Sequence, residues 1–223
     1  MFHCQTFASI IQVKTDNAAV ITLDNASMTK KTIWLNPAYQ QTCPPTAIFA
    51  DRDGTLIRHV DYIDDPAKIE LLPGVKAGVQ RLIEAKIPFF ILTNQSGVGR
   101  GYFPIERVYA CQARLFELLE IEPTQIAGWC IAPEAPETAG GYRKPSPRFI
   151  QAACQHLDLA PTECHMVGDT LVDLETAWNA GARAWAVACG KPALPEAHAA
   201  GTITGGCYRI CPDFAGCLAQ IMP

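Results

Sequence analysis

The sequence has no apolar run of about 18 residues, the length that a membrane-spanning helix needs. Its first residues, MFHCQTFASIIQVK, also lack the basic stretch and apolar core of a secretory signal. We therefore expect a cytoplasmic protein that has no membrane partner. In that compartment thiols stay reduced, so the ten cysteines are expected to be free thiols rather than a disulfide framework.

Charged residues are also scarce, at 18% of the chain against about 25% in an average soluble protein. Hydrophobic residues make up 49%, a balance that favours a buried core over disorder. The formal charge of -4 supplies no global attraction toward nucleic acid or anionic membranes. Any phosphate chemistry must therefore use local charge. The length of 223 residues fits one sizeable domain with room for an appendage.

Paired Cys-x-x-Cys motifs, which are typical of structural zinc sites, are missing near the C-terminus. The cysteines there are Cys207, Cys211 and Cys217, and we interpret them as ordinary thiols.

From Thr46 onward, short apolar runs typical of strands alternate with amphipathic runs typical of helices. The predicted strands are 46–50, 88–92, 125–131, 164–167 and 183–187, and the predicted helices lie around 75–83, 108–118, 149–157 and 171–178. This alternation predicts a doubly wound, Rossmann-like α/β domain with a mainly parallel sheet over residues 46–223.

The first 45 residues do not follow that alternation. Two apolar runs flank the turn-like residues Thr15, Asp16 and Asn17, which predicts a β-hairpin. The run TIWL predicts a further short strand before the breaker cluster at 43–45. We interpret residues 1–45 as an N-terminal β appendage, a sheet-edge extension without chemistry of its own.

Polar side chains follow the predicted strands at the points where ligands bind to an open α/β sheet, outside the carboxyl ends. Asp51-Arg52-Asp53-Gly54-Thr55 follows the first strand, Thr93-Asn94 follows the second, and Gly168-Asp169 follows the fourth, with Asp173 four residues further on. Lys144 falls between the third and fourth strands. These residues are expected to converge at one edge of the sheet.

Converging carboxylates repel one another unless a cation neutralises them, and oxygen ligands alone favour Mg²⁺. Asp51 and Asp53 are two positions apart, so on an extended segment both point the same way while Arg52 points elsewhere. One carboxylate can then attack while the other handles protons. The side chains of Thr93, Asn94 and Lys144 supply donors for a phosphoryl group.

A lone Asp-x-Asp is more often a solvated turn, and a lone Gly-Asp pair is often a helix cap. The ordered set resembles the four motifs of the haloacid dehalogenase superfamily of phosphohydrolases. Within it, ADRDGTLI, LTNQSGVGRGYF, RKPSP, MVGDTLVDLETAWNAG and GKP resemble the branch of heptose bisphosphate phosphatases and histidinol-phosphatase domains. The resemblance covers roughly residues 46 to 195.

The resemblance implies catalytic roles for two carboxylates. Asp51 would be the nucleophile that forms an aspartyl-phosphate, and Asp53 would protonate the leaving oxygen and then deprotonate water. Thr93 and Lys144 would hold the phosphoryl oxygens.

The resemblance also implies a metal site and a recognition surface. Mg²⁺ would lie on the carboxylates of Asp51 and Asp169 and on the backbone carbonyl of Asp53, with Asp173 in a supporting role. Arg143 would recognise substrate, and His59 and Tyr62 belong to a short segment, 59–62, that matches the family's substrate-contacting flap.

The branch usually carries a zinc loop with four ligands before the Arg-Lys-Pro motif. Here Cys130 is the single cysteine in that stretch, so no zinc is expected, and the loop from Pro133 to Tyr142 must order itself by packing or stay mobile. The gaps from Asp53 to Thr93 and from Thr93 to Lys144 are filled by predicted flap, helices, strands and loop, so no large cap is expected.

The sequence therefore predicts a Mg²⁺-dependent phosphatase for a small phosphorylated metabolite, foremost a sugar bisphosphate such as a heptose bisphosphate, and we expect a monomer. Two alternative substrates remain: histidinol phosphate, and nucleic-acid 3′-phosphate, which the acidic net charge disfavours. A non-catalytic phosphate- or metal-binding module would be expected to lose Asp51 or Asp53. A dehalogenase is disfavoured because a halide leaving group does not need the acid at Asp53.

Overall fold

A computed structural model describes residues 11–14, 20–23, 30–40, 46–138 and 140–222, the first two of these by their backbone alone. The strands are β1 (Ile11–Lys14), β2 (Val20–Leu23), β3 (Ile33–Leu35), β4 (Ala47–Ala50), β5 (Phe89–Asn94), β6 (Gly128–Ala132), β7 (Cys164–Gly168), β8 (Arg183–Val187) and β9 (Tyr208–Cys211). The helices are α1 (Val75–Glu84), α2 (Ser96–Gly99), α3 (Ile105–Leu119), α4 (Arg148–Leu157), α5 (Leu171–Ala180), α6 (Ala193–Ala199) and α7 (Phe214–Ile221). In these ranges no helix is long and apolar enough to cross a membrane.

The apolar runs form a seven-stranded sheet in the order β3-β6-β5-β4-β7-β8-β9. All neighbours are parallel except β3, which pairs antiparallel with β6 at the edge. In the centre of the sheet, Ala50 is paired with Ile91 on one side and Val167 on the other. This register brings the residues that follow β4 and β7 to the same edge as the end of β5.

Helices cover both faces of the sheet, which is why the central strands are apolar on both sides. One core contains Val79 of α1, Leu115 of α3 and Leu218 of α7. The other contains Phe149 of α4 and Leu174 of α5. The doubly wound α/β fold predicted from the sequence is confirmed.

The five predicted strands all form, although the third starts later than predicted because residues 123–125 form a 3-10 turn. β9 and the helices α2, α6 and α7 were not predicted. β9 is an edge strand with a mixed burial pattern, so it carries no continuous apolar signal.

The N-terminal region contributes to the sheet edge through β3. β1 and β2 pair antiparallel, with Ile11 opposite Leu23. The predicted turn at 15–17 and the breaker cluster at 43–45 lie outside the described residues. The division of the chain at residue 45 stays a prediction.

Candidate active site

The polar residues predicted to converge do so at the carboxyl edge of the central strands, where they are buried. Asp51 follows β4, Thr93 is the penultimate residue of β5, and Asp169 follows β7, while Lys144 lies on the loop before α4. Their exposed fractions run from 0% for Asp169 to 6% for Asp51. We call this buried group, together with Asp53 and Asp173, the catalytic floor.

Lys144 joins two carboxylates of the floor. Its Nζ lies 2.7 Å from Asp51 Oδ1 and 2.6 Å from Asp173 Oδ1. Burial acts to lower the pKa of Lys144, but Asp173 and Asp51 outweigh it, and the pKa is raised overall. Burial also raises the pKa of Asp51 well above its usual range, and Lys144 opposes that shift. The ammonium therefore stays charged and partly neutralises a cluster that is acidic.

Asp173 uses both carboxylate oxygens within the protein. Oδ1 meets Lys144, and Oδ2 accepts hydrogen bonds from Thr170 N at 3.0 Å and Thr170 Oγ1 at 2.6 Å. These last two bonds cap the N-terminus of α5. Asp173 therefore holds Lys144 in place, while its predicted support of the metal shell stays a prediction.

The surroundings of Asp169 show whether the floor suits a bound cation. Its Oδ2 accepts from Lys191 N at 2.9 Å, while its Oδ1 is buried and has no hydrogen-bond partner among the described residues. Ligand atoms of Asp51, Asp169 and Asp173 lie within 4.8 Å of one another. A buried carboxylate oxygen without a donor is costly unless a cation neutralises it. The donor set consists of oxygens, so the residues present fit Mg²⁺.

Gly54 leaves the space that the Asp169 carboxylate occupies. Its φ is +95°, and a Cβ placed there would lie 2.2 Å from Asp169 Oδ2. Any side chain at position 54 would therefore displace Asp169. Burial raises the pKa of Asp169, and the neighbouring Asp173 raises it further, as expected for carboxylates held together before a cation binds.

Asp53 is held by an unexpected set of donors. Its Oδ2 accepts from Thr93 Oγ1 at 3.0 Å and from Gln95 Nε2 at 2.8 Å. Arg52 adds a forked contact, Nε to Oδ2 at 3.1 Å and Nη2 to Oδ1 at 3.2 Å. These bonds fix Asp53 at the entrance of the floor.

The position of Arg52 corrects the sequence expectation that its side chain points away from the two aspartates. Its guanidinium is fully buried and lies on Asp53. The chain leaves the extended conformation directly after Asp51, because Leu56 N and Ile57 N both turn back to Arg52 O. The alternation of a strand therefore no longer sets the direction of side chain 52.

Gln95 was also missed by the sequence reasoning. It lies two positions after Thr93, and its Nε2 donates to Thr93 Oγ1 at 2.8 Å as well as to Asp53. Its place in the run Thr-Asn-Gln at the end of β5 was the available signal. Asn94 braces the backbone of Lys144: Nδ2 donates to Lys144 O at 3.2 Å, and Oδ1 accepts from Lys144 N at 2.9 Å. Its predicted contact with the phosphoryl group stays a prediction.

A cavity of about 300 Å³ opens above the floor, and its outer lining includes His59, Tyr62, Arg143 and Lys191. We call these four residues, with Tyr102, the mouth. His59 Nε2 lies 3.0 Å from Asp61 Oδ1. Tyr62 is 49% exposed and meets Tyr102 edge-on, with ring centroids 4.9 Å apart. Eight of the ten predicted site residues thus line one cavity, and the other two, Asp169 and Asp173, do not.

None of the cysteines that the structure describes lines this cavity. Within the described ranges, Asp51, Asp169 and Asp173 are the only group of three metal-ligating side chains close enough to share an ion. Cys130 is buried in β6, Cys207 is exposed, and Cys211 and Cys217 are buried. The absence of zinc stays a prediction.

Comparisons with known proteins agree with this geometry. A sequence profile of haloacid dehalogenase-like hydrolases matches residues 5–181. The D-glycero-beta-D-manno-heptose-1,7-bisphosphate 7-phosphatase of Mesorhizobium japonicum is 33% identical over 175 residues, covering 72% of this chain and 78% of that protein. The D-glycero-D-manno-heptose-1,7-bisphosphate 7-phosphatase of Thermosynechococcus vestitus is 35% identical over 149 residues, covering 62% of this chain and 76% of that protein.

A solved structure is similar over the same region. The D,D-heptose 1,7-bisphosphate phosphatase of B. bronchiseptica, crystallised with magnesium and phosphate, superimposes with a TM-score of 0.71 at 28% identity. The superposition covers 79% of this chain and 98% of that one.

Proposed function

We propose a reaction course and a substrate for this chain, which belongs to the haloacid dehalogenase-like hydrolase family. It is a Mg²⁺-dependent phosphatase that hydrolyses a sugar bisphosphate, most specifically a heptose bisphosphate, through an aspartyl-phosphate. The observation that carries this proposal is the floor itself. A buried Asp51 lies 2.7 Å from Lys144 and within 4.8 Å of the Asp169 carboxylate, and it lines an open cavity.

Asp51 attacks the phosphorus, a P–O bond forms to its carboxylate, and the P–O bond to the sugar breaks. Asp53 donates a proton to the departing sugar oxygen. In the second step Asp53 takes a proton from water, which attacks the phosphorus and releases inorganic phosphate and free Asp51. The position of Asp53, beside Asp51 and held by Thr93, Gln95 and Arg52, suits this exchange of one proton.

Charge at the transferred phosphoryl group is stabilised by fixed donors. Lys144 is already charged and buried next to Asp51, so little reorganisation is needed as charge redistributes. Mg²⁺, held by Asp51, Asp169 and the backbone carbonyl of Asp53, would neutralise the repulsion between the carboxylates and the phosphoryl oxygens. Asp173 keeps Lys144 in place.

A sugar bisphosphate is supported by two lines of argument. The relatives that match most of this chain carry the name of heptose bisphosphate phosphatases. The mouth is open and carries the cations Arg143 and Lys191, which suit a substrate with a second anionic group beyond the transferred one. Histidinol phosphate lacks that second anion, and a nucleic-acid end is opposed by the net charge of -4.

The test is a panel of phosphorylated metabolites assayed with Mg²⁺, with kcat/KM measured for heptose 1,7-bisphosphate, histidinol phosphate and a 3′-phosphorylated oligonucleotide. We expect the heptose bisphosphate to exceed the other two by at least tenfold. A preference for histidinol phosphate would contradict the substrate while leaving the phosphatase reaction in place. No release of phosphate from any ester would contradict the reaction. A cytoplasmic location and a monomeric state stay predictions. Gel filtration of the purified chain tests the monomeric state.

A further inference from the structure

The loop that connects β6 to Arg143 is closed on itself by one carboxylate. Glu134 lies at the start of this loop and Tyr142 at its end, eight residues later. Glu134 Oε1 accepts a hydrogen bond from Tyr142 N at 3.0 Å. The side chain therefore ties the two ends of the loop together, immediately before the residue that faces the cavity.

Gly141 shows how closely the carboxylate is fitted to the loop. A Cβ built at position 141 would lie 2.0 Å from Glu134 Oε1 and 2.6 Å from its Cδ. No side chain fits there unless Glu134 moves. The glycine before Tyr142 is thus explained by the space that the Glu134 carboxylate occupies.

Other contacts hold the loop at different points, among them a hydrogen bond that Arg148 Nη1 donates to the backbone oxygen of Gly140. Gly99 N donates to Pro133 O at 2.9 Å, at the start of the loop. Arg100 and Glu137 form an ion pair at 3.4 Å, in which the Glu137 side chain is 71% exposed. Exposed ion pairs of this kind contribute little to stability. Glu134 is the partly buried acidic side chain that contacts the residue next to Arg143.

Arg143 also contacts Glu134 directly. Its Nη1 lies 3.5 Å from the backbone oxygen of Glu134. Burial lowers the pKa of Arg143, and the negative charge of Glu134 is the strongest influence that opposes this shift. The guanidinium therefore lies against residue 134, and the negative charge of the Glu134 side chain favours its charged form.

We propose that Glu134 is a positioning residue that closes the loop 133–142 and thereby aims Arg143 at the part of the substrate beyond the transferred phosphoryl group. The proposal rests on the proposed function for its choice of substrate. The Glu134 side chain would then order a loop that was expected from the sequence either to order itself by packing or to stay mobile. Glu134 lies outside the reaction itself, because it does not line the cavity.

The test compares Glu134→Ala with Glu134→Gln and with a matched control on the same loop, Glu137→Ala. Glu134→Ala should raise KM for heptose 1,7-bisphosphate by about five- to tenfold, the effect of one lost hydrogen bond that positions a contact. Its effect on p-nitrophenyl phosphate should be smaller. Glu134→Gln should restore most of KM, because the amide oxygen still accepts from Tyr142 N and Oε2 has no hydrogen-bond partner among the described residues to lose. Glu137→Ala should match the wild type.

A double-mutant cycle decides whether Glu134 acts through Arg143. In an Arg143→Ala background, Glu134→Ala should add no further increase in KM. Additive effects of the two changes would overturn the proposal. Should Glu134→Ala fail to fold, Gly141→Ala supplies a second variant, because its Cβ displaces the same carboxylate. It should raise KM by a similar factor, and a normal KM for folded Gly141→Ala would count against the proposal.

A second measurement needs no substrate. Trypsin can cut after Arg143 but not after Lys144, because proline follows Lys144. Native-state cleavage at Arg143, followed by mass spectrometry, should be several-fold faster in Glu134→Ala than in Glu134→Gln. Equal cleavage rates in the two variants would overturn the proposed positioning role of Glu134. If the wild type does not turn over heptose bisphosphate, the proposed function fails, while this cleavage measurement still decides the role of Glu134.

Discussion

Residues of the catalytic floor and of the mouth line the same cavity, but the two regions differ in how their side chains are held. In the floor, Lys144 is 4% exposed and is bonded to two carboxylates at 2.7 Å or less. In the mouth, Tyr62 and Tyr102 are 49% and 59% exposed and contact each other through their rings. The floor is fixed by buried charge, and the mouth is fixed by surface contacts.

This difference separates chemistry from selection. A phosphoryl group is the same in every phosphomonoester, so the donors that hold it can be rigid and buried. The rest of the substrate varies, and the residues that meet it lie on loops at an open surface. Changes in the floor should therefore affect all substrates alike, while changes in the mouth should depend on the substrate.

The largest effect is expected in the floor, from Asp51→Asn. The substitution removes the nucleophile and a proposed metal ligand together, and it is nearly isosteric. We expect less than about 1% of wild-type activity on every substrate, because loss of a nucleophile that acts as part of a unit costs many powers of ten. Phosphate release and thermal unfolding should be measured on one preparation.

A folded Asp51→Asn variant that kept more activity than that would contradict covalent catalysis by Asp51. Asp53→Asn is the companion variant. It should be severely slow but should still accumulate phosphoenzyme from an activated ester, since a good leaving group needs no proton. If no phosphoenzyme can be trapped in Asp53→Asn, then Asp51 as nucleophile and Asp53 as acid and base do not have separate roles.

Removal of the metal should also abolish activity on all substrates. A chelator should stop phosphate release and added Mg²⁺ should restore it, because the buried carboxylates of Asp51 and Asp169 would then face the phosphoryl group without a cation. Elemental analysis of the purified protein should find no stoichiometric zinc. One tightly bound zinc per chain would show that the loop 133–142 or the C-terminal cysteines were misinterpreted.

Much of the floor could be predicted from the sequence, for a physical reason. The carboxyl ends of parallel strands meet at one edge, so residues directly after apolar runs are brought together by the fold itself. Asp51, Thr93 and Asp169 follow this rule, and Lys144 was placed by its motif. Arg52 could not be predicted, because the chain turns after Asp51 and strand alternation no longer applies.

The mouth was less predictable, because its contacts join loops that are distant in sequence. Tyr62 and Tyr102 are forty positions apart and meet only in the folded chain. Glu134 carried no signal, since a single acidic residue in a loop is usually solvated. Its function depends on the path that returns Tyr142 to it.

A smaller, substrate-dependent effect is expected in the mouth from Arg143→Ala. Loss of one forked, charge-assisted contact should raise the activation free energy that kcat/KM reports for heptose bisphosphate by about 2 to 4 kcal/mol. This figure includes the cost of leaving the substrate's charged group without its partner. The loss should be much smaller for p-nitrophenyl phosphate, which has little beyond the phosphoryl group. Measuring both ratios on one preparation cancels errors in active fraction. Equal losses of kcat/KM on the two substrates would mean that Arg143 binds the phosphoryl group, as the floor residues do.

The smallest effect is expected from Tyr102→Ala. Tyr102 supports Tyr62, whose φ of +50° holds it in a conformation that few residues adopt, and the two rings meet at 78°. An aromatic pair contributes about 0.5 to 1.5 kcal/mol, and this pair is exposed, so KM for the heptose bisphosphate should rise only about two- to fivefold. Tyr102→Phe is the matched control, because it keeps the ring contact and removes only the hydroxyl; it should behave as the wild type. The turnover of p-nitrophenyl phosphate should hardly change in either variant, since both rings belong to the exposed mouth and not to the buried floor. A loss for Tyr102→Ala as large as that for Arg143→Ala, and equal on both substrates, would mean that the aromatic pair supports the floor and that the two regions are not separate.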